Sequence, residues 1–427
     1  MAINFPDDFR QTMMKLHFPI VMILSTGLTG CANDPATLPE FQSAKLEQQT
    51  GKKAHCADLQ ALPSMECSDT VTSIFDAQGT LWVAWVARDH VYLQSSADKG
   101  LHFSPPVAVN TEPESIAAHG EYRPKIKLDP HGNIYLTWTQ NLEKRHTGHI
   151  RFSRSTDGGK SFSKPVTVND NLEVIGHRFD SLEVGKNGGI FVTWLDARDK
   201  ERAKATQQEF NGSALYYAWS DNGGKSFYPN KIVAPHSCEC CRLATEIDKD
   251  NVPVVMWRHV FEDNIRDHGL VKFTDWNTPG TVQRVSHENW KIEACPHHGP
   301  ALSIADNGVY HAVWFSGAAD NLGLFYGYSK DAGASYSPSY HFGNQGAKHP
   351  DVLAAGRQVA IVWSEFDGGN NLVQLIKSDD GGQSWSSPQT IGTTQESADD
   401  AFLVSDGQKL YLSWQTGQGY RFKALGE

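Results

Sequence analysis

The chain has 427 residues, 39% of them hydrophobic and 11% aromatic, which is enough apolar material for a packed core and too much for a disordered protein. A formal net charge of -11 with no basic run excludes a nucleic-acid partner, because nothing would neutralise phosphates. Length alone allows two or three average domains or one large all-β unit.

In chain order, the first informative stretch is "MKLHFPIVMILSTGLTGC", which starts at Met14 and carries Lys15 before an apolar run too short to span a bilayer comfortably. Its end, Leu28-Thr29-Gly30-Cys31, resembles a bacterial lipobox. The resemblance implies a lipoprotein signal peptide over residues 1–30 and lipidation of Cys31 at the mature N-terminus. Asp7 and Asp8 are unusual in a signal and move the expected translation start to Met13 or Met14. Ala32, rather than an aspartate, follows the cysteine, which implies the bacterial cell envelope, lipid-anchored in the outer membrane and facing the periplasm or the exterior. In that oxidising compartment Cys56, Cys67, Cys238, Cys240, Cys241 and Cys295 read first as disulfides, with Cys56 and Cys67 paired locally. Residues 31–66 are expected to act as a tether and to supply a closing strand.

From residue 67 to 427 one phrase repeats: apolar alternation, a turn rich in Asp, Gly or Asn, and a β-rich run ending in tryptophan. The copies include "VTSIFDAQGTLWVAW", "PKIKLDPHGNIYLTW" and "DSLEVGKNGGIFVTW", and they end at Trp85, Trp138, Trp194, Trp257, Trp314, Trp363 and Trp414. Each predicts a hairpin of two half-buried strands. Most are followed by a third strand and a second signature: "SADKGLHF", "STDGGKSF", "SDNGGKSF", "SKDAGASY" and "SDDGGQSW". These resemble the Asp-box, or bacterial neuraminidase repeat, in which an acidic side chain caps a glycine-bearing turn between the third and fourth strands of a propeller blade. Asp98, Asp157, Asp331 and Asp380 keep the acid and Asn222 replaces it. The resemblance is to the sialidase-like superfamily and implies an all-β propeller. Seven hairpins predict seven blades, with a six-bladed sialidase-type ring and one peripheral hairpin as the alternative. The last repeat ends at its third strand, "GYRFKALGE", so closure needs an outer strand from the N-terminal segment.

Repeat register places residues of different blades side by side. Nineteen residues before Trp257 stands Cys238 in "HSCECCR", and nineteen before Trp314 stands Cys295 in "ACPHHGP". Cys240 then matches His297, Cys241 matches His298 and Arg242 matches Gly299, so the two stretches are expected to form one site at the mouth of the tunnel. Three readings stay open for it. Cys238 and Cys295 form a disulfide between blades; or Cys238, Cys240, Cys241, Cys295, His297 and His298 bind a soft metal, Cu or Zn; or one thiol is catalytic. The chain also resembles secreted sialidase-like proteins that share a Cys-x-Cys-Cys stretch and a later "WKI-A-CP" stretch.

Arg123, Arg178 and Arg242 precede three consecutive innermost strands and are candidates for an anionic ligand, a carboxylate, phosphate or sulfate. The competing reading pairs each with an acid such as Glu121, Asp180 or Glu239. Sialidases use an arginine triad, a Tyr/Glu nucleophile pair and an acidic proton donor. Here "EYRPK" replaces the usual Arg-Ile-Pro, and nothing selects Tyr122 or Tyr420 as nucleophile, so activity on sialosides is expected to be weak or absent. Two functions remain: an envelope binding protein holding a metal or an anion, or a glycoside hydrolase of exo-α-sialidase type acting on carboxylated sugars, with a glycan as partner.

Overall fold

The computed structural model describes Cys56 and residues 61–294 and 296–426. The expected signal peptide, the expected lipidation site Cys31 and Cys295 lie outside the described residues. Cys56 and Cys67 form the expected local disulfide, with Cα atoms 5.5 Å apart.

Seven antiparallel sheets follow one another along the chain. Blade 1 is β1 (Val71–Phe75), β2 (Leu81–Ala87), β3 (His90–Ser96) and β4 (Val107–Ala108); blade 2 is β5 (Lys125–Leu128), β6 (Ile134–Asn141), β7 (Gly148–Ser155) and β8 (Val166–Thr167). Blade 3 is β9 (His177–Val184), β10 (Ile190–Asp196), β11 (Ser213–Ser220) and β12 (Lys231–Ser237). Blade 4 is β13 (Ala244–Ile247), β14 (Pro253–Arg258), β15 (His268–Asp275), β16 (Thr278–Pro279) and β17 (Gln283–Arg284), the last pairing with β15. Blade 5 is β18 (Ala301–Ile304), β19 (Tyr310–Ala318), β20 (Asn321–Ser329) and β21 (Tyr340–Phe342). Blade 6 is β22 (Lys348–Ala355), β23 (Gln358–Phe366), β24 (Asn371–Ser378) and β25 (Gln389–Thr394), and blade 7 is β26 (Phe402–Ser405), β27 (Leu410–Thr416) and β28 (Gly419–Ala424). The first strands neighbour one another in a closed circle, β1, β5, β9, β13, β18, β22, β26 and back to β1. The seven-bladed ring is therefore the fold, and no hairpin is peripheral.

Alternation along the second strand of each blade builds the ring. In β2, Val83 and Trp85 face the blade 7 side, with Tyr411, while Ala84 faces blade 2, with Ile126 and Trp138. The same division recurs, so the hydrophobic side chains fall into seven cores, one per interface between blades. Each core takes one of the seven tryptophans, all at most 2% exposed. Most of the indole N–H groups are also bonded: Trp138 and Trp314 donate to Glu114 and Glu288 at 2.9 and 3.1 Å.

The turns that resemble Asp-boxes are held by side-chain hydrogen bonds. Asp157 accepts from the backbone N–H groups of Lys160 and Ser161 at 3.1 and 3.0 Å, and Ser155 donates to it at 2.7 Å. Asn222 keeps the accepting oxygen, 3.2 Å from the Ser226 N–H, which explains why the amide is tolerated.

The expected closing strand falls on residues 31–66, most of which lie outside the described residues. Among the described residues blade 7 has three strands, and the described end of the N-terminal segment holds a 3-10 turn, Met65–Cys67. It is tied to blade 7 by Gln415, whose amide donates to the Met65 and Ser68 carbonyls at 3.2 and 2.9 Å.

Candidate ligand site at the axial mouth

The fourth strand of each blade leads to the first strand of the next across one end of the tunnel. The crossover before β5 reaches across this end. His119 and Tyr122 pair with each other, and the tight turn between them projects Glu121 toward three other blades. Its carboxylate accepts from the Arg242 backbone N–H at 2.7 Å, the Arg242 guanidinium at 2.9 Å, the Gly299 N–H at 3.0 Å and His349 Nδ1 at 3.2 Å. Burial alone would raise its pKa, but Arg242 and His349 hold the carboxyl well below the usual carboxylate range.

The three arginines separate into two kinds. Arg242 spends its remaining donors on the Pro300 and Pro350 carbonyls, at 3.1 and 2.6 Å. Arg123 donates to the Gly120, Val71 and Asp400 carbonyls at 3.0, 3.1 and 2.9 Å and lies 3.4 Å from the Asp399 carboxylate. Both are rivets between crossovers, which corrects the expectation of three free forked donors. Arg178 differs: its guanidinium lies over the Tyr122 and Phe179 rings, 4.8 and 5.1 Å from their centroids, and makes no ion pair among the described residues. The acids expected to pair with it are taken elsewhere. Asp180 accepts from Thr137 and Thr139 at 2.7 and 2.9 Å, and Glu239 pairs with Lys200.

A bulge explains the difference. Arg123 and Arg242 stand fifteen residues before their tryptophans, whereas Arg178 stands sixteen before Trp194. The register of β9 on β10 shifts between Thr193 and Leu195, and Phe179 takes a φ of 57°, a left-handed conformation that a bulky residue rarely adopts. The extra residue moves Arg178 one place along, out of the riveting position and toward the mouth.

Three exposed imidazoles surround it: His119, His146 from the loop between β6 and β7, and His297. The His119 ring is 5.3 Å from Tyr122 and His297 is 6.5 Å from Phe179. Desolvation, then His297 and Arg178, lower the His119 pKa; desolvation, then Arg178, lower that of His146. The mouth thus presents a guanidinium without a counter-ion among the described residues, beside His119 and His146 biased to the neutral form. His119 was legible all along, since it stands nineteen residues before Trp138, the register of Cys238 and Cys295. His146 lies in a loop of no fixed register and carried no such signal.

The two cysteine- and histidine-bearing stretches do run side by side: Arg242 packs against Gly299, where no Cβ would fit. Their side chains diverge, however, because each crossover faces the interface of its own blade. Cys238, Cys240 and Cys241 point into the core between blades 3 and 4, all at most 3% exposed. His297 stays at the surface, and His298 stacks on Phe315 at 4.1 Å between centroids and lies tilted against His349 at 4.8 Å. Neither histidine joins the group of ligand atoms formed by the three thiols.

Beneath the mouth the innermost strands carry charges into the tunnel. Lys127 pairs with Glu183 at 2.6 Å, and nearby Glu246 has a pKa pushed up to about 8 by burial and then by Glu183. A carboxyl raised in the folded state holds its proton from its ordinary 4.5 upward, so the folded form loses stability as pH rises through that window. Glu246→Gln removes the titration. Urea unfolding at about pH 8 should show the variant more stable by about 1–3 kcal/mol, and the gain should vanish near pH 4.

No protein-family model matches the chain, and no curated protein matches it in sequence. Among solved structures it is similar to a PL25 polysaccharide lyase, an ulvan lyase, with TM-score 0.52 and 10% identity over 85% of this chain and 92% of that one. It is similar also to the polysaccharide lyase Uly1, with TM-score 0.51 and 9% identity over 84% of this chain and 89% of that one. A leech intramolecular trans-sialidase matches with TM-score 0.48 and 11% identity, over 81% and 82% of the two chains. What these proteins share with the chain is the fold, a β-propeller.

Proposed function

We propose that the axial mouth binds an acidic carbohydrate and acts on it, with Arg178 taking the sugar carboxylate. One observation carries the reading: among the described residues Arg178 is the arginine of the mouth without an acid partner, with His297 and the neutral-biased His119 and His146 around it. A guanidinium with free donors is built for a carboxylate, and a neutral imidazole beside it is built to take a proton. In a uronate, binding the carboxylate acidifies the adjacent C–H. That combination favours β-elimination, in which a base removes this proton and the glycosidic oxygen leaves from the neighbouring carbon. Hydrolysis needs two opposed carboxyl groups. At this mouth Glu121 is saturated, Glu239 is salt-bridged and Asp400 lies 3.4 Å from His349. A sialidase-type nucleophile is disfavoured too, because burial raises the Tyr122 hydroxyl far above its ordinary range and pushes Tyr420 up to about 12. The similar ulvan lyase has been solved bound to -[GlcA(1-4)Rha3S]-, a uronate-bearing glycan, which supports the same ligand class here.

The test is a panel of uronate-containing and neutral polysaccharides, with ultraviolet absorbance reading conjugated unsaturated ends and a reducing-end assay run in parallel. Both signals should rise on an acidic polymer, and a model sialoside should release nothing. Reducing ends without absorbance would move the reading to a hydrolase; no turnover and no binding of any acidic glycan would sink it.

The soft-metal reading concerns other atoms, the buried thiols beneath this mouth, and neither reading requires the other. For placement, the lipobox supports a chain held by lipid at Cys31 in the outer membrane, where polymeric glycans are met. Cys31→Ala should shift the protein from the membrane fraction to the soluble one on fractionation. Unchanged partition would remove the anchor.

A further inference from the structure

The core between blades 3 and 4 contains a group that apolar packing does not explain. Cys238 Sγ lies 3.9 Å from Cys240 Sγ and 3.7 Å from Cys241 Sγ, and all three sulfurs fall within 4.8 Å of one another. Three sulfurs so spaced are equidistant from a point about 2.2 to 2.5 Å from each, close to the roughly 2.3 Å of a metal–thiolate bond. The three thiols are free, and Cys240 and Cys241 are neighbours, which disfavours a disulfide between that pair.

A second, independent feature is two cations without anions. Arg258 is 1% exposed, yet among the described residues its donors go only to the Arg266, His298 and Phe315 carbonyls, and its buried Nε has no hydrogen-bond partner. Arg266 donates to Asn264 and, from Nη1, to Cys238 Sγ at 3.6 Å. Among the described residues neither makes an ion pair with a carboxylate. A buried guanidinium without a counter-charge is costly, so its partner should be an anion that the neutral thiols do not supply.

We propose that Cys238, Cys240 and Cys241 bind one Cu(I) ion as three thiolates, with Arg258 and Arg266 as the balancing charges. Three thiolates and a monovalent cation carry two negative charges in sum, which the two guanidiniums cancel. A divalent ion would leave the buried group one positive charge in excess. Thiolates in a dry, three-coordinate setting select a soft cation, and three such ligands suit Cu(I) better than Zn, which prefers a fourth. Binding releases three protons and oxidises nothing. It also protects the thiols in a compartment that would otherwise oxidise them. The ion would stiffen the crossover that carries Arg242, and so the floor of the mouth, without taking part in its chemistry.

The experiment uses the full chain, purified under reducing, oxygen-free conditions and titrated with Cu(I) against a chromophoric Cu(I) chelator. One equivalent should bind tightly, raise the thermal midpoint, and give a copper absorption-edge spectrum with three sulfur neighbours. Cys238→Ser, Cys240→Ser and Cys241→Ser should each lose the chelator-resistant equivalent. Those variants risk misfolding, so Arg266→Gln, at a partly buried position, provides a second readout: stoichiometry is kept and Cu(I) affinity falls at least tenfold. Three outcomes would overturn the proposal: no bound equivalent in the reduced wild-type chain, a sulfur count below three, or Zn(II) displacing Cu(I) at equal concentration. None of them bears on the glycan reading.

Discussion

Glu121→Ala should cost about 3–5 kcal/mol of folding stability, the largest single effect expected at a polar residue of this molecule. The side chain leaves the crossover before blade 2 and is bonded to backbone and side-chain donors at the entrances of blades 4, 5 and 6. Removing it strands the Arg242 guanidinium in a buried place with only carbonyl partners, and leaves the Gly299 N–H unpaired. Glu121→Gln should cost less, since an amide oxygen still accepts while the charge is gone. The acid limb offers a check. A carboxyl with depressed pKa contributes stability above its ordinary 4.5 and loses it as pH falls below that value, so the wild-type advantage over Glu121→Gln should shrink on acidification. Urea unfolding of both variants at about pH 7 and about pH 3 measures it. A cost under about 1 kcal/mol for the alanine variant would mean that the clasp across the mouth is incidental.

The ring itself was legible because it is written in local terms. A tryptophan at a fixed place in each second strand, and a capped glycine turn at a fixed place after each third, are properties of short segments that repetition makes unmistakable. Charges inside the tunnel were not read from the sequence, although Lys125 and Lys127 alternate with apolar residues in "KIKL". The mouth was not legible either, and the reason is topological. Whether Arg123 or Arg178 is free depends on which carbonyls and acids other crossovers bring, from residues as distant as Asp399 and Asp400. Register counting also assumes that the strands pair without slips, and the bulge at Phe179 breaks that assumption at the arginine that matters. The cysteines show the same limit. Equivalent positions on neighbouring blades are close in backbone, yet Cys240 turns into a core while its counterpart His297 turns to the surface. A ligand set read across blades from backbone equivalence alone therefore mixed residues that face different interfaces.

Arg178→Ala should lower kcat/KM on the acidic polymer that the chain cleaves by roughly a hundredfold or more, about 3 kcal/mol of lost transition-state stabilisation. The loss should fall on kcat as well as KM, because the carboxylate gains negative charge as the neighbouring proton leaves and the guanidinium binds it more strongly then than before. Stability should barely change, since Arg178 gives up two ring contacts and no ion pair among the described residues. Arg123→Ala and Arg242→Ala should behave in the opposite way, unfolding more readily while whatever fraction stays folded still binds, because their donors end on protein carbonyls and carboxylates. Arg178→Lys should restore part of the binding and little of kcat, as a point charge cannot fork to both carboxylate oxygens. The pH profile separates the base from the binder. If His119 takes the proton, activity should rise through a pKa below the ordinary imidazole value and stay high toward neutrality, in keeping with desolvation and the charges of His297 and Arg178. His119→Ala would then remove the limb, whereas Arg178→Ala would lower the plateau and shift the limb upward by withdrawing a positive charge. Equal activity in wild type and Arg178→Ala, at matched stability, would place the carboxylate elsewhere and end the case for this mouth.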